Sequence, residues 1–512
     1  MSKEFGDFQT PPALVADVLQ CLSADKNLWS RALEPTCGYG NFISGLLALA
    51  VPPREIQAVE FNETHFRKAN KIAEQSLLTR VVVKRARLFD LNLQSLKWSE
   101  SGRLLVVGNP PWITNSQLSA LGSKNLPVKT NLKGLRGIEA ITGHSNFDIA
   151  EYIWLKLIRE LAQEQPTIAL LCKTSVARNV LQFTFDNSIP ISNASIRTID
   201  AQKWFGAAVS ACLFCIDVVS EKPCYEANIY QSLYASTPDS TIGISGNKLV
   251  ANLKNYKRFE FVEGVSSLTW WQGLKHDAAS VMELTRNSQE LLQNKLGETV
   301  IAESAYIYPL LKGSDLFHGK LKSQRAVIVT QKRVGEDTQQ LQRVAPQLWC
   351  YLSDHASHFA KRKSSIYQGK PPFSIFGIGD YSFALYKVAI SGLHKVPKFQ
   401  AIIPVDERPV MFDDTCYFVP CYSLEQAAFL ASLLNSPICL DFIQSRIFLD
   451  AKRPITKKFL QCIDLRVILK HIDLETLLIQ AEADFHRLKT KSDKSTPDWS
   501  SLEKFLDTKV AE

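Results

Sequence analysis

In Val106-Val107-Gly108-Asn109-Pro110-Pro111-Trp112 an apolar run ends abruptly on two prolines. Neither proline donates a backbone hydrogen bond and each fixes its own φ, so a strand must stop there and the chain that follows is stiff. Such a corner cannot lie inside a sheet. It belongs at a strand's C-terminal edge, where open α/β sheets bind their ligands. The corner offers a carboxamide from Asn109, the Pro110 carbonyl and the indole of Trp112. Two acceptors suit the two hydrogens of an amino group, and an indole face suits a planar ring. A purely structural turn is the competing account of the same residues.

A second corner lies upstream, in Ala32-Leu33-Glu34-Pro35-Thr36-Cys37-Gly38-Tyr39-Gly40-Asn41-Phe42, followed by Ile43, Leu46 and Leu47 at helical spacing. A strand, a turn with two glycines and a helix make a nucleotide-type binding site, because glycines let a ligand approach the backbone. The next strand, residues 56–59, ends at Glu60, about 20 residues after the glycines, where a carboxylate can take the hydroxyls of a ribose. Phe61 beside it is placed to lie against an adenine. Ahead of both corners, Phe8-Gln9-Thr10-Pro11-Pro12 leads into a helix from near Ala13, with Thr10 as its cap and the prolines in its first turn. A third strand, residues 80–83, leads to Ala86-Arg87-Leu88-Phe89-Asp90.

After the proline corner comes a long polar stretch, residues 113–146, with Lys124, Lys129, Lys133 and Arg136 against one acid, Glu139. A loop of this length in a compact domain is usually functional, and its position makes it a candidate flap over the substrate. A helix over 147–161 follows, with Ile149, Ile153, Leu157 and Leu161 on one face. Residues 168–172 and 204–212 read as further strands of the same sheet. Beyond Glu221-Lys222-Pro223 the alternation of glycine turns and helices is lost, and strands are expected at 324–331 and 400–404. From residue 312 to 372 eleven lysines and arginines face four acids. Lys361-Arg362-Lys363 in that tract and Lys452-Arg453 after it, with Tyr351, Tyr367, Phe373 and Phe376 interleaved, suit a surface that tracks phosphates. The last forty residues or so read as a charged, peripheral helical segment.

At 512 residues the chain exceeds one ordinary core, and its length implies about two to four domains. The formal net charge of +8 favours a polyanionic partner. The apolar runs near 167–172 and 209–219 are too short to span a membrane, and the first residues have no apolar signal core. Eleven scattered cysteines are expected to be free thiols in a reducing cytoplasm. Cys212 and Cys215 have metal-site spacing but no second pair, so no metal is expected.

The run Asn109-Pro110-Pro111-Trp112 resembles the (N/D)PP(Y/F/W) motif of amino-methyltransferases, and Glu34 to Phe42 resembles their (D/E)-P-x-C-G-x-G-x-F loop for S-adenosyl-L-methionine. With the threonine-proline segment and the acidic strand end, the motif order is similar to that of gamma-class N6-adenine DNA methyltransferases of restriction-modification systems. The matched motifs span about residues 5–215. The resemblance implies an α/β, Rossmann-like methyltransferase domain over 1–222, a mixed α+β target-recognition region over 223–470 and a helical segment over 471–512. It implies cofactor contacts from Thr10, Glu34, Thr36, Gly38, Gly40, Glu60, Phe61 and Asp90. The chain departs from the pattern at Arg87, where an acidic residue usually accepts a hydrogen bond from the cofactor's adenine; only Asp90 remains nearby. It implies that Asn109 and Pro110 accept from the target amine, with Pro111 shaping the corner, and that Trp112 and Phe205 stack on a flipped adenine. Double-stranded DNA is the implied partner, bound by the basic residues named above, with a separate cognate endonuclease; a monomer is expected. A protein-glutamine or RNA-base methyltransferase is the alternative enzyme. A DNA-binding protein with a degenerate methyltransferase fold is the alternative that is not an enzyme.

Overall fold

The computed structural model describes residues 9–23, 29–113, 148–286, 289, 291–322, 324–489 and 496–499. They divide into two compact units, Met1–Lys254 and Asn255–Glu512.

The first unit is built on one sheet of ten strands: β1 Arg31–Glu34, β2 Glu55–Glu60, β3 Arg80–Arg85, β4 Leu104–Gly108, β5 Thr167–Lys173, β6 Ile191–Ile199, β7 Ala211–Val218, β8 Glu226–Tyr230, β9 Ser240–Ser245 and β10 Lys248–Val250. Their order is β10-β9-β8-β6-β7-β5-β4-β1-β2-β3. Strands β3, β2, β1, β4 and β5 are all parallel, and β7 enters antiparallel between β5 and β6. The central strands are covered on both faces: β1 and β4 are buried at every position, β4 with an unbroken apolar run and β1 with Ala32 and Leu33 between the buried ends Arg31 and Glu34. Edge strand β3 instead alternates between exposed and half-buried residues.

Among the described residues six α-helices accompany the sheet: α1 Pro12–Ser23, α2 Asn41–Leu47, α3 Glu63–Gln75, α4 Ile149–Glu160, α5 Thr174–Asp186 and α6 Ala201–Phe205. The expected helix after the proline corner is α4, capped by the Asp148 carboxylate, which accepts from Ala150 N. Residues 204–210 do not continue the sheet. Asp200 caps α6 by accepting from Lys203 N at 2.9 Å, the helix stops at Gly206, and β7 starts only at Ala211. The sheet also runs past the expected domain limit at residue 222. Strand β8 pairs in parallel with β6, and the β8-β9-β10 meander closes that edge, so the first unit extends to Lys254.

The second unit holds two small sheets. One has the order β11-β19-β16-β17, from β11 Trp271–Gln272, β16 Tyr386–Ser391, β17 Gln400–Ile402 and β19 Cys416–Cys421. The other has the order β13-β12-β15-β14-β18, from β12 Glu283–Arg286, β13 Leu292–Asn294, β14 Ile307–Leu311, β15 Arg325–Ile328 and β18 Met411–Phe412. The expected strands at 324–331 and 400–404 are β15 and β17. Helix α7 Leu424–Leu434 packs on β16 and β17, and α8 Leu474–Leu488 packs on α7. Helix α8 buries Leu477, Ala481 and Phe485, so this part of the C-terminal segment belongs to the second unit's core and is not peripheral. Among the described residues no single helix is long and apolar enough to cross a membrane; α7 and the following Pro437–Arg446 pass by composition only as a bent pair, and α7 is largely buried.

Candidate active site

In the parallel part of the first unit's sheet the strand order reverses between β1 and β4. A reversal of this kind opens a crevice at the C-terminal strand ends. Both sequence corners fall there: the glycine turn leaves β1 and the proline corner leaves β4. They share one cavity of about 150 Å³, whose lining includes Thr10, Glu34, Thr36, Gly38, Glu60, Phe61, Asn109 and Pro111. Eight of the residues singled out from the sequence therefore converge, although they span a hundred positions of the chain.

The two glycines do different work. Gly38 has φ +53, and a Cβ there would meet the Gln9 side chain at 2.6 Å. Gly40 has φ +86 and a Cβ would press on Ala69 and Ile72 of α3 at 3.2 and 3.0 Å. Gly38 thus keeps the cavity wall low, whereas Gly40 serves the packing of α2 on α3 and does not line the cavity. Gln9, to which the sequence assigned no role, accepts from Tyr39 N at 2.9 Å and lines the cavity beside Gly38.

Glu60 is already engaged. Its Oε2 accepts from Gly38 N at 2.8 Å and its Oε1 from Asn62 N at 2.6 Å. Burial raises its pKa, and these N–H donors oppose the rise. Glu34 is more deeply enclosed, at 2% exposure, and its pKa is raised well above the usual carboxylate range by burial and then by the charge of Glu60. Oε2 of Glu34 and Oγ1 of Thr36 are buried without a hydrogen-bond partner. Buried polar atoms seldom stay unsatisfied, so two orphaned oxygens in a cavity wall call for a ligand with N–H or O–H donors. An α-ammonium group on a ligand that also carries ribose hydroxyls meets that demand, and the residues present fit S-adenosylmethionine.

Thr10 reaches the proline corner and not only the side of the glycine turn. Its Oγ1 accepts from Asn109 Nδ2 at 3.1 Å, and its carbonyl accepts from Asn41 Nδ2 at 2.7 Å. The segment before α1 therefore ties the end of β4 to the start of α2.

Besides Gly40, four expected site residues lie outside the cavity lining. Asp90 is exposed, pairs with Arg87 at 3.5 Å and does not line the cavity; the 3-10 turn Leu88–Asp90 turns Leu88 and Phe89 inward instead. Pro110 is buried in the corner but is not a lining residue. Trp112 is buried, donates from Nε1 to Leu171 O at 3.2 Å, and meets Phe205 edge-to-face at a centroid separation of 5.1 Å. The two rings touch each other, so no slot for a base lies between them. Their contact has a simple cause: α6 ends at Phe205, beside the strand β5 that holds the indole N–H.

Of the basic residues, Lys124, Lys129, Lys133 and Arg136 lie outside the described residues. In the second unit Lys361, Lys363 and Lys452 are exposed. Arg362 and Arg453 are not free surface charges. Arg362 donates to Ser374 O at 2.7 Å and stacks over Tyr367 at 3.8 Å, and burial lowers its pKa. Arg453 binds Asp414 through O at 2.8 Å and Oδ2 at 3.0 Å. A guanidinium's five donors make it the cation that folds recruit internally, which charge counting does not reveal.

No family model matches the chain. It is 37% identical over 476 residues to the type II methyltransferase M.NspV of Nostoc sp. (strain ATCC 29411 / PCC 7524), covering 92% of this chain and 98% of that protein. Among solved structures it is similar in fold to the type IIL restriction-modification enzyme MmeI in complex with DNA, with a TM-score of 0.53 at 12% identity, over 97% of this chain and 71% of that one.

Proposed function

Because this chain belongs to the type II methyltransferase family, we propose that it methylates N6 of an adenine within a defined sequence of double-stranded DNA, as the protective half of a restriction-modification system whose endonuclease is a separate chain. The observation that carries this reading is that the glycine turn and Asn109 open on one cavity and are joined through Thr10.

S-adenosyl-L-methionine, when bound, supplies an activated methyl group. The chain's own residues bind, orient and polarise. Gly38 and Glu60 line the place for the ribose and amino-acid portion, with Glu34 and Thr36 supplying acceptors for an ammonium group. An adenine N6 is a weak nucleophile because its lone pair is delocalised into the ring. Asn109, which lines the cavity, accepts one of its hydrogens through Oδ1, and the carbonyl of Pro110, the next residue of the corner but outside the present lining, takes the other once the base is seated. Together they favour a tetrahedral nitrogen whose lone pair points at the methyl donor. The rate gain is then positioning and electrostatics, with no dedicated base.

Inside a duplex N6 is out of reach of such a cavity, so the base has to leave the stack. Stacking on an aromatic face returns about 1–3 kcal/mol. Here that return is reduced, since a base that stacks on Trp112 or Phe205 replaces the contact the two rings make with each other. Target recognition falls to the second unit, whose exposed lysines supply phosphate contacts. DNA from cells with and without this protein should differ by N6-methyladenine at one short sequence when both are read by single-molecule sequencing. Methyl groups on cytosine, or on protein but not DNA, would refute the assignment.

A further inference from the structure

The cavity has two chemically distinct ends. Its polar side chains, Gln9, Thr10, Glu34, Thr36, Asn41, Glu60, Asn62, His65 and Asn109, come from the segment before α1, the turn after β1, the end of β2 with the start of α3, and the end of β4. The lining beyond β3 and from α4 is Ala86, Leu88, Phe89, Ile149 and Ile153, with no polar side chain among the described residues. Asn62 does not serve that end, since its Oδ1 caps α3 by accepting from Thr64 N and His65 N. Nor does Asp90, which is turned out to solvent. Because β2 lies between β1 and β3, a ligand with its amino-acid portion at the glycine turn and its ribose at Glu60 carries its ring to Leu88 and Phe89.

The walls of this apolar end belong to segments some sixty residues apart, and they are fastened to one another. Lys156 of α4, only 7% exposed, donates from Nζ to Leu91 O at 2.6 Å and to Glu160 Oε1 at 2.6 Å. The other oxygen of Glu160 accepts from Leu93 N at 2.9 Å. Tyr152 on the same helix meets Phe89 edge-to-face at 5.3 Å. A buried lysine spent on a loop carbonyl two residues past the cavity wall fixes the distance between Leu88–Phe89 and Ile149–Ile153.

Resting on the reading of the cavity as the S-adenosylmethionine site, we propose that this end is a rigid slot that holds the cofactor's purine by shape and stacking, with no side chain among the described residues reading its exocyclic amine, and that Lys156 and Glu160 are the positioning residues that set its width. A side-chain acceptor for that amine would make its removal costly; an apolar slot is nearly indifferent to it.

Calorimetry on the full chain tests both halves, with S-adenosylhomocysteine and its analogue carrying hydrogen in place of the 6-amino group. The analogue should bind within about threefold of the parent, since no charged hydrogen bond is lost. A loss of more than about thirtyfold, with the parent binding normally, would overturn the slot; failure of the parent to bind would instead overturn the cofactor reading beneath it. Lys156→Met should weaken both ligands equally, by about tenfold, and speed hydrogen exchange at the Leu93 amide, with Lys156→Arg recovering part of each. Glu160→Gln keeps an acceptor for Leu93 N and should fall between the two. Parent-like affinity and exchange in Lys156→Met would remove the positioning role.

Discussion

The two units use charge and polarity in opposite ways. In the first, polar groups singled out from the sequence are carried by strand order to one enclosed place, where Glu34 and Thr36 keep oxygens without partners. In the second, Arg362 and Arg453 are half-buried and engaged by the fold, while the lysines beside them are exposed. An unsatisfied buried group is costly to keep and so points to a ligand, whereas a half-buried cation whose donors are already used within the fold does not. The cavity is therefore the firmer functional assignment, and the basic tracts must be divided residue by residue.

The sharpest way to break this division is a truncation after Lys254, which keeps the whole ten-stranded sheet. It should lose all sequence-specific methylation while still binding S-adenosylhomocysteine in calorimetry. Retention of the full chain's site preference would end the recognition role of the second unit. Within the cavity, Asn109→Ala should lower kcat by about two to three orders of magnitude at near-normal cofactor affinity, as removal of one acceptor matched to developing charge does. Thr10→Val, which takes away the hydroxyl that accepts from Asn109 Nδ2, should give a smaller loss of the same kind. A large rise in cofactor Kd in either variant would move these residues from orienting the amine to binding the cofactor.

In the second unit, replacing Lys361 and Lys363 together by alanine should reduce the salt slope of DNA binding by about two and leave Tm unchanged. Arg362→Ala should do the reverse, lowering Tm through the lost Ser374 bond and Tyr367 stack while the slope stays near that of the parent. Equal salt slopes for all three alanines would erase the distinction between lysines and arginines.

The smallest expected effect is a pH effect at Glu34. Its folded pKa is raised, so the stability it contributes to the cofactor-free protein is full below the ordinary carboxyl value of 4.5 and is lost as pH climbs through the raised one. Glu34→Gln should flatten that decline and raise Tm at neutral pH, by roughly 2–4 °C for about 1 kcal/mol recovered. It should also weaken cofactor binding, because an amide cannot match a carboxylate beside an ammonium group. A melting curve with the parent's pH dependence would remove the buried carboxyl as its source.

Much of the site was legible because its geometry is local. Two prolines end a strand wherever they occur, a glycine turn after a strand stays a turn, and alternating or continuous apolar runs report how many faces of a strand are covered. The residues thereby determined the α/β class, the positions of β1, β2 and β4, and the cavity roles open to Glu34, Gly38, Glu60 and Asn109. What tertiary structure alone decided depends on partners far off in the chain. The bond between Thr10 and Asn109 crosses ninety-nine residues, and the clamp of Lys156 on Leu91 crosses sixty-five. The closed pair of Trp112 and Phe205, the outward turn of Asp90, the internal use of Arg362 and the extension of the sheet to Val250 are of the same kind. Local sequence sets what a side chain can donate or accept; which group it meets is set by the register and order of strands, and that is a property of the whole sheet.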